Sequence, residues 1–286
     1  MNLPGATFRR ERHALQNFEA LDRSWRNIVF YSEGSADWPH LGPVIRALLD
    51  DHDRRVTYLS SDEADPGLAL EHPGLKSFNI GAGSARTILF ARMDCSTFVM
   101  TLPDLGNLWL KRSVHPVRYV YLFHSMNSTH TSYRKGAFDN FDTVLCVGPH
   151  HVEEIRRTEE VYGLPPKELV EHGSTKLDAV ISELAGSTAQ PTTGGQPRVL
   201  IAPTWGESSL IERPEGSLLI RALLDAGVPT VLRLHPMTSR RLPRLADDLN
   251  RQFAEGGAFR LEQDMNASDS WLTSDIMISD WSGAAI

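Results

Sequence analysis

The feature that most constrains this 286-residue chain is a strict alternation of short apolar runs with helical patterns. Strand-like runs fall at Asn27–Ser32, Arg55–Ser60, Ser77–Ile80, Thr97–Thr101, Arg118–Phe123, Thr143–Val147 and Leu169–His172. Between them lie segments such as Leu41, Val44, Ile45, Leu48 and Leu49, whose spacing marks one face of a helix. Pro149 opens another helix at its first turn, and a further one is predicted over Thr175–Leu184. The pattern then restarts: strand Val199–Ala202, helix Ser217–Ala226, strand Thr230–Leu234, helix Leu242–Ala254, strand Phe259–Leu261, helix Ala267–Thr273 and strand Asp275–Ser279. Such alternation predicts parallel, doubly wound sheets with helices on both faces.

Between the two series runs GSTAQPTTGGQP, which has no apolar anchor and reads as a linker. The predicted organisation is therefore an N-terminal helical segment (1–26), a first Rossmann-like domain (27–185), a linker (186–197) and a second Rossmann-like domain (198–286). In open sheets of this kind ligands bind outside the carboxyl ends of the strands, which predicts a cleft between the two domains. The second series holds about four strands and stops where another helix would begin, so the expectation is a truncated second domain.

Composition removes several function classes. Net charge is 29 − 36 = −7, and the excess of acid lies wholly after residue 150, so no surface for nucleic acid is implied. Only Cys95 and Cys146 are present, each in an apolar run, which reads as buried free thiols in a reducing compartment. No run is long enough to cross a membrane, and the N-terminus lacks the apolar core of a signal peptide; the expectation is a cytoplasmic protein. The segment Phe8–Trp25 sets Phe8, Leu15, Phe18 and Leu21 at loose helical spacing among Arg9, Arg10, Arg12 and Arg23. It reads as a surface helix packed on the body, the alternative being a peripheral contact with the inner face of the cell membrane.

Polar residues gather at strand ends. His124 follows Tyr119–Phe123 and begins the polar stretch Ser125–His130. His235 follows Val231–Leu234 and precedes Pro236, Thr204 and Trp205 follow Leu200–Ala202, and Asp280 and Ser282 follow Ile276–Ser279. An imidazole suits removal of an alcohol proton near neutral pH, which fits His124; His235 could donate to a phosphate. The plainer alternative is that each histidine caps a strand end. Gly81-Ala82-Gly83 reads as a turn rather than a phosphate loop. His150-His151-Val152-Glu153-Glu154 contains metal-ligand types but suits the first turn of a helix, and no metal site is predicted.

Five motifs in order resemble the CDP-glycerol glycerophosphotransferase family, the teichoic-acid primases and polymerases. Phe123-His124-Ser125-Met126 is similar to the family's Trp-His-Gly-Thr, and Gly173-Ser174-Thr175-Lys176-Leu177-Asp178 to its Gly-Asn-Pro-Arg-Asn-Asp. Ala202-Pro203-Thr204-Trp205 and Arg233-Leu234-His235-Pro236 match the family's elements. Ser274-Asp275-Ile276-Met277-Ile278-Ser279-Asp280-Trp281-Ser282-Gly283 is close to the last one.

The resemblance implies a GT-B fold, two facing Rossmann-like domains. It implies transfer of a polyol phosphate, glycerol phosphate first, from a CDP-linked donor to a hydroxyl of a cell-envelope glycan or glycolipid. By the same resemblance His124 deprotonates the acceptor, which attacks the donor's β-phosphorus and releases CMP, with no cofactor. His235 binds the diphosphate, and Thr204, Arg233, Ser279, Asp280, Ser282 and Lys176 form the donor side. Two other readings stay open: a GT-B transferase using a nucleotide sugar, and a truncated, non-catalytic relative.

Overall fold

The computed structural model describes residues 4–107, 110–186, 195–262 and 269–280. They form two compact units, Met1–Ala179 and Val180–Ile286, with the division inside a helix. Of the stretch read as a linker, residues 187–194 lie outside the described residues.

The first unit holds β1 (Ile28–Ser32), β2 (Val56–Ser60), β3 (Leu75–Asn79), β4 (Thr97–Met100), β5 (Arg118–Leu122), β6 (Thr143–Cys146) and β7 (Glu168–Glu171). Its helices are α1 (Pro4–Glu19), α2 (Trp38–Asp50), α3 (Ser84–Arg92), the single turn α4 (Thr129–Ser132), α5 (Pro149–Tyr162) and α6 (Thr175–Gly186), the last running across the division. The strands make one parallel sheet in the order β3-β2-β1-β4-β5-β6-β7. The chain first builds outward from β1 to β3 and then returns to β4 on the other side, so the topological switch point lies between β1 and β4.

Alternate residues of each strand serve opposite faces, as the pleat requires. Val29, Tyr31, Phe98, Tyr119 and Tyr121 join one core with Leu89 and Phe90 of α3 and Ile155 of α5. Phe30, Tyr58, Val99, Val120 and Leu122 join the other with Leu41, Ile45 and Leu49 of α2. Both faces being covered explains why these strands are apolar runs rather than alternating ones.

The N-terminal segment departs from a continuous helix. α1 ends at Glu19, and a short 3-10 turn follows at Arg23–Arg26. The break falls at Asp22, which is extended (φ −63°, ψ 163°) and whose carboxylate accepts the Ser24 N–H at 2.9 Å. A side chain that satisfies a nearby N–H this way competes with helix continuation. Leu15 and Phe18 of α1 are buried in the first core, so its apolar face is spent on the body. No helix among the described residues is long and apolar enough to cross a membrane.

The second unit holds β8 (Val199–Ile201), α7 (Pro214–Asp225), β9 (Thr230–Arg233), α8 (Pro236–Arg241), α9 (Pro243–Phe253), β10 (Phe259–Glu262), α10 (Asp269–Thr273) and β11 (Ile276–Ile278). Its four-stranded parallel sheet has the order β10-β9-β8-β11, which repeats the winding of the first unit around its own switch point between β8 and β11. Ile201, Leu232 and Leu234 pack against Ile220 of α7 and Leu249 and Phe253 of α9.

Candidate functional site

In the first unit the carboxyl ends of β1, β4 and β5 surround a pocket of about 330 Å³. Its wall carries Glu33 and Asp37 after β1, Thr101 and Asp104 after β4, His124 after β5, and Tyr133 and Arg134. Every strand here enters from the same direction, so every strand-end loop meets at this edge.

The β1 loop is held by a buried carboxylate. Asp65 Oδ2 accepts from Ser32 Oγ (2.8 Å), Tyr58 Oη (2.8 Å) and Ser60 Oγ (2.7 Å), and its Oδ1 accepts the Gly67 N–H (2.9 Å). Only glycine fits at 67: a Cβ there would lie 2.4 Å from the Tyr58 ring and 2.6 Å from Trp38. Ser32 Oγ also reaches Asp37 Oδ2 at 3.3 Å, and that oxygen accepts the Glu33 N–H at 2.8 Å. The Asp37 carboxylate is thus fixed at the pocket by its neighbours.

The His124 loop is clamped from α5. His151 Nε2 donates to the Asn127 carbonyl at 2.8 Å and His150 Nε2 to the Met126 carbonyl at 3.1 Å. Glu154 accepts both the N–H and the hydroxyl of Thr129 at 2.6 Å. The His150–Glu154 cluster therefore acts as a backbone clasp, and among the described residues no group of three or more His, Cys, Asp or Glu is arranged to hold a metal. His151 is buried with its ring 3.9 Å from that of Phe123, and burial lowers its pKa.

His124 itself is exposed at the pocket. Its ring lies 5.9 Å from His40 and 6.4 Å from Tyr133, and its Nδ1 is 3.5 Å from the hydroxyl of buried Tyr121. Loss of hydration on that crowded side lowers its pKa, opposed by the charge of Asp37 and a hydrogen bond with the Thr101 backbone. The imidazole is therefore neutral near pH 7 and able to accept a proton.

His40, in the first turn of α2, is a neighbour that strand-end reasoning missed. Burial first, then the positive influence of His124 and Lys176, lower its pKa to about 4. Lys176 arrives there because α6 starts against α2: Thr175 Oγ1 donates to the His40 carbonyl at 3.1 Å. Asp37, Glu33 and Arg86, which reaches Glu33 at 3.2 Å, were also missed. For Glu33 and Asp37 the available signal was the position of their loop, directly after β1 of a parallel sheet; Arg86 lies in α3 and offered none.

In the second unit the residues after β8, β9 and β11 also come together, but they bind one another. Asp280 accepts the Thr204 N–H at 2.5 Å and the Leu210 N–H at 2.9 Å. Ser279 Oγ donates to the Ala202 carbonyl at 2.7 Å. The His235 ring caps α8, its Nδ1 accepting the Met237 N–H at 3.1 Å. The neutral ring then carries its proton on Nε2, which remains a donor. Burial lowers the pKa of His235, opposed by Glu212. Its ring lies 6.2 Å from Trp205, itself under the Arg241 guanidinium. Arg233 lies over the Trp271 ring. Ser282 lies outside the described residues.

No family model matches the chain, and no curated protein matches it. Solved structures do. The UDP-GlcNAc 2-epimerase of Methanocaldococcus jannaschii, in complex with UDP-GlcNAc and UDP, is 12% identical with a TM-score of 0.56 over 90% of this chain and 79% of that one. The enzyme of that name from Neisseria meningitidis, bound to UDP-GlcNAc, is 14% identical with a TM-score of 0.59 over 90% and 78%. The Listeria monocytogenes protein described as a putative UDP-N-acetylglucosamine 2-epimerase is 12% identical with a TM-score of 0.60 over 91% and 75%.

The likeness is one of fold. This chain is an α/β protein of the GT-B-like class, built from two parallel, doubly wound sheets. The finer resemblance to the CDP-glycerol glycerophosphotransferases rests on the five sequence motifs.

Proposed function

We propose that this chain is a transferase that takes a group from a nucleoside-diphosphate-linked donor and passes it to an acceptor hydroxyl. The observation that carries this reading is the neutral imidazole of His124 at the mouth of a 330 Å³ pocket on the switch point of the first sheet. In the reading favoured by the motifs, the acceptor hydroxyl gives its proton to His124 as its oxygen attacks the phosphorus bearing the polyol. The bond from that phosphorus to the bridging oxygen breaks, and CMP leaves. Asp37 steadies the imidazolium that forms. A well-placed base of this kind is worth roughly 10²–10⁴ in rate.

On the donor side the motifs assign His235, through its Nε2 proton, and Arg233 to the diphosphate; they assign Lys176 to the donor too, and it lies beside His40 in the first unit. Asp280 and Ser279 serve as positioning residues, because they hold the 202–210 backbone. The motifs assign Thr204 and Ser282 to the donor as well. The acceptor in this reading is a glycan or glycolipid of the cell envelope.

A second reading is transfer of a sugar from a nucleotide sugar, with His124 again as the base. The UDP-GlcNAc held by two of the similar structures favours it. Incubation with CDP-glycerol, CDP-ribitol and UDP-GlcNAc, each with a hydroxylated acceptor, separates the readings by the nucleotide released. CMP supports polyol-phosphate transfer and UDP supports sugar transfer. No release, with no heat of donor binding in calorimetry, overturns both in favour of a non-catalytic protein.

A further inference from the structure

A second cavity of about 290 Å³ lies in the first unit between the 129–139 segment and α5. Its walls are partly apolar, with Phe138, Ile155 and Leu164 and the rings of Tyr133 and Tyr162. Two ammonium groups belong to it without a carboxylate in hydrogen-bond reach. Lys135 is exposed and sits 3.7 Å over the Tyr162 ring. Lys167 is the unusual one: its side chain is only 4% exposed. Its nitrogen is 3.8 Å from Glu159 Oε1, too far for a hydrogen bond. Glu159 is already engaged, by Arg156 at 2.6 Å and by the Lys167 backbone N–H at 2.8 Å.

The Lys167 ammonium thus has an ion-pair partner at long range but no hydrogen bond, so an anion in the cavity would gain charge-assisted bonds from it and from Lys135. Arg134 and Arg157, also on the wall, already pair with Asp104 and Glu160. The volume is near the small end for ligand sites, which fits a compact molecule better than a polymer.

We propose that this cavity binds a small ligand carrying one phosphate or carboxylate on an apolar body, the anion on Lys167 and Lys135 and the body against Phe138 and Tyr162. Tyr133, Arg134 and Ala137 line both this cavity and the His124 pocket, so the occupant sits one side chain from the proposed base. Resting on the transferase reading above, it is the anionic, apolar portion of the acceptor.

Octyl phosphate is the probe, titrated calorimetrically into the whole chain beside octyl glucoside and inorganic phosphate. Octyl phosphate should bind saturably and at least roughly tenfold tighter than either control, with Lys167→Met and Lys135→Met each weakening it by roughly tenfold. Lys111→Met, on an exposed residue outside the cavity wall, should leave binding unchanged. No saturable binding, or equal binding by the exposed-site variant Lys135→Met, overturns the site even if Lys167→Met fails to fold. Nucleotide release without octyl phosphate binding removes this subsite alone. Octyl phosphate binding without nucleotide release removes the acceptor role and keeps the anion site.

Discussion

The two units repeat one winding, β3-β2-β1-β4 in the first and β10-β9-β8-β11 in the second, and use its carboxyl edge in opposite ways. At the first edge Glu33, Asp37, Asp104 and His124 line an open pocket. At the second, Asp280 and Ser279 are consumed by the 202–210 backbone after β8, and the Nδ1 of His235 by the first turn of α8. A shared topology thus brings polar residues to the same place without deciding whether they serve a ligand or the scaffold. The strand-end histidines show the split: His124 has a crowded side and an open side, whereas His235 is a helix cap with one nitrogen to spare.

The largest effect should therefore come from the first edge. If His124 is the base, His124→Ala cuts nucleotide release by at least about a hundredfold with donor affinity little changed. Turnover near that of the parent chain would remove His124 from the chemistry and erase the contrast between a reactive edge and a scaffolding one.

At the second edge the expected damage is to structure. Asp280→Ala leaves the Thr204 and Leu210 N–H groups without their charged acceptor, a loss of about 2–3 kcal/mol. Because the partners of that carboxylate among the described residues lie in the second unit's loop, amide exchange should quicken in β8 to β11 and stay as before in β1 to β7. Unchanged exchange in the second unit would mean that Asp280 is free for a ligand after all.

How much of this was legible in the sequence differs by level. Each of the eleven strands among the described residues overlaps a predicted run; the central ones, such as β1, β4 and β8, are continuous apolar stretches because both their faces are covered, whereas the outer β3, β7 and β10 are mixed and half-exposed. The helix start at Pro149 was equally visible, since proline suits a first helical turn. The same rule applied to Pro236 would have exposed His235 as a helix cap. The pocket was less visible. Asp37 and His124 are far apart in the chain and meet only because β1 lies beside β4 and β4 beside β5, an order that spacing alone does not state. His40 was hidden for a related reason: it sits within a helix, and its closeness to Lys176 depends on α6 beginning against α2.

His40 also supplies the smallest and most local test of the contrast. An unfolded histidine takes up a proton near pH 6.5, whereas burial and the neighbouring His124 and Lys176 delay this in the folded chain to about pH 4. Between those values the unfolded state binds a proton that the folded state refuses, so stability falls as the pH drops through the window and levels off below it. His124 and His151 of the first unit and His235 of the second are shifted the same way, and Asp37 partly offsets the shift at His124. His40→Gln should therefore flatten, without abolishing, the loss of urea resistance between pH 7 and pH 4.5. Amide exchange should assign the recovered stability to the first unit. An unaltered slope would mean that His40 gains its proton as readily in the fold as outside it, and that the first edge tolerates positive charge beside His124.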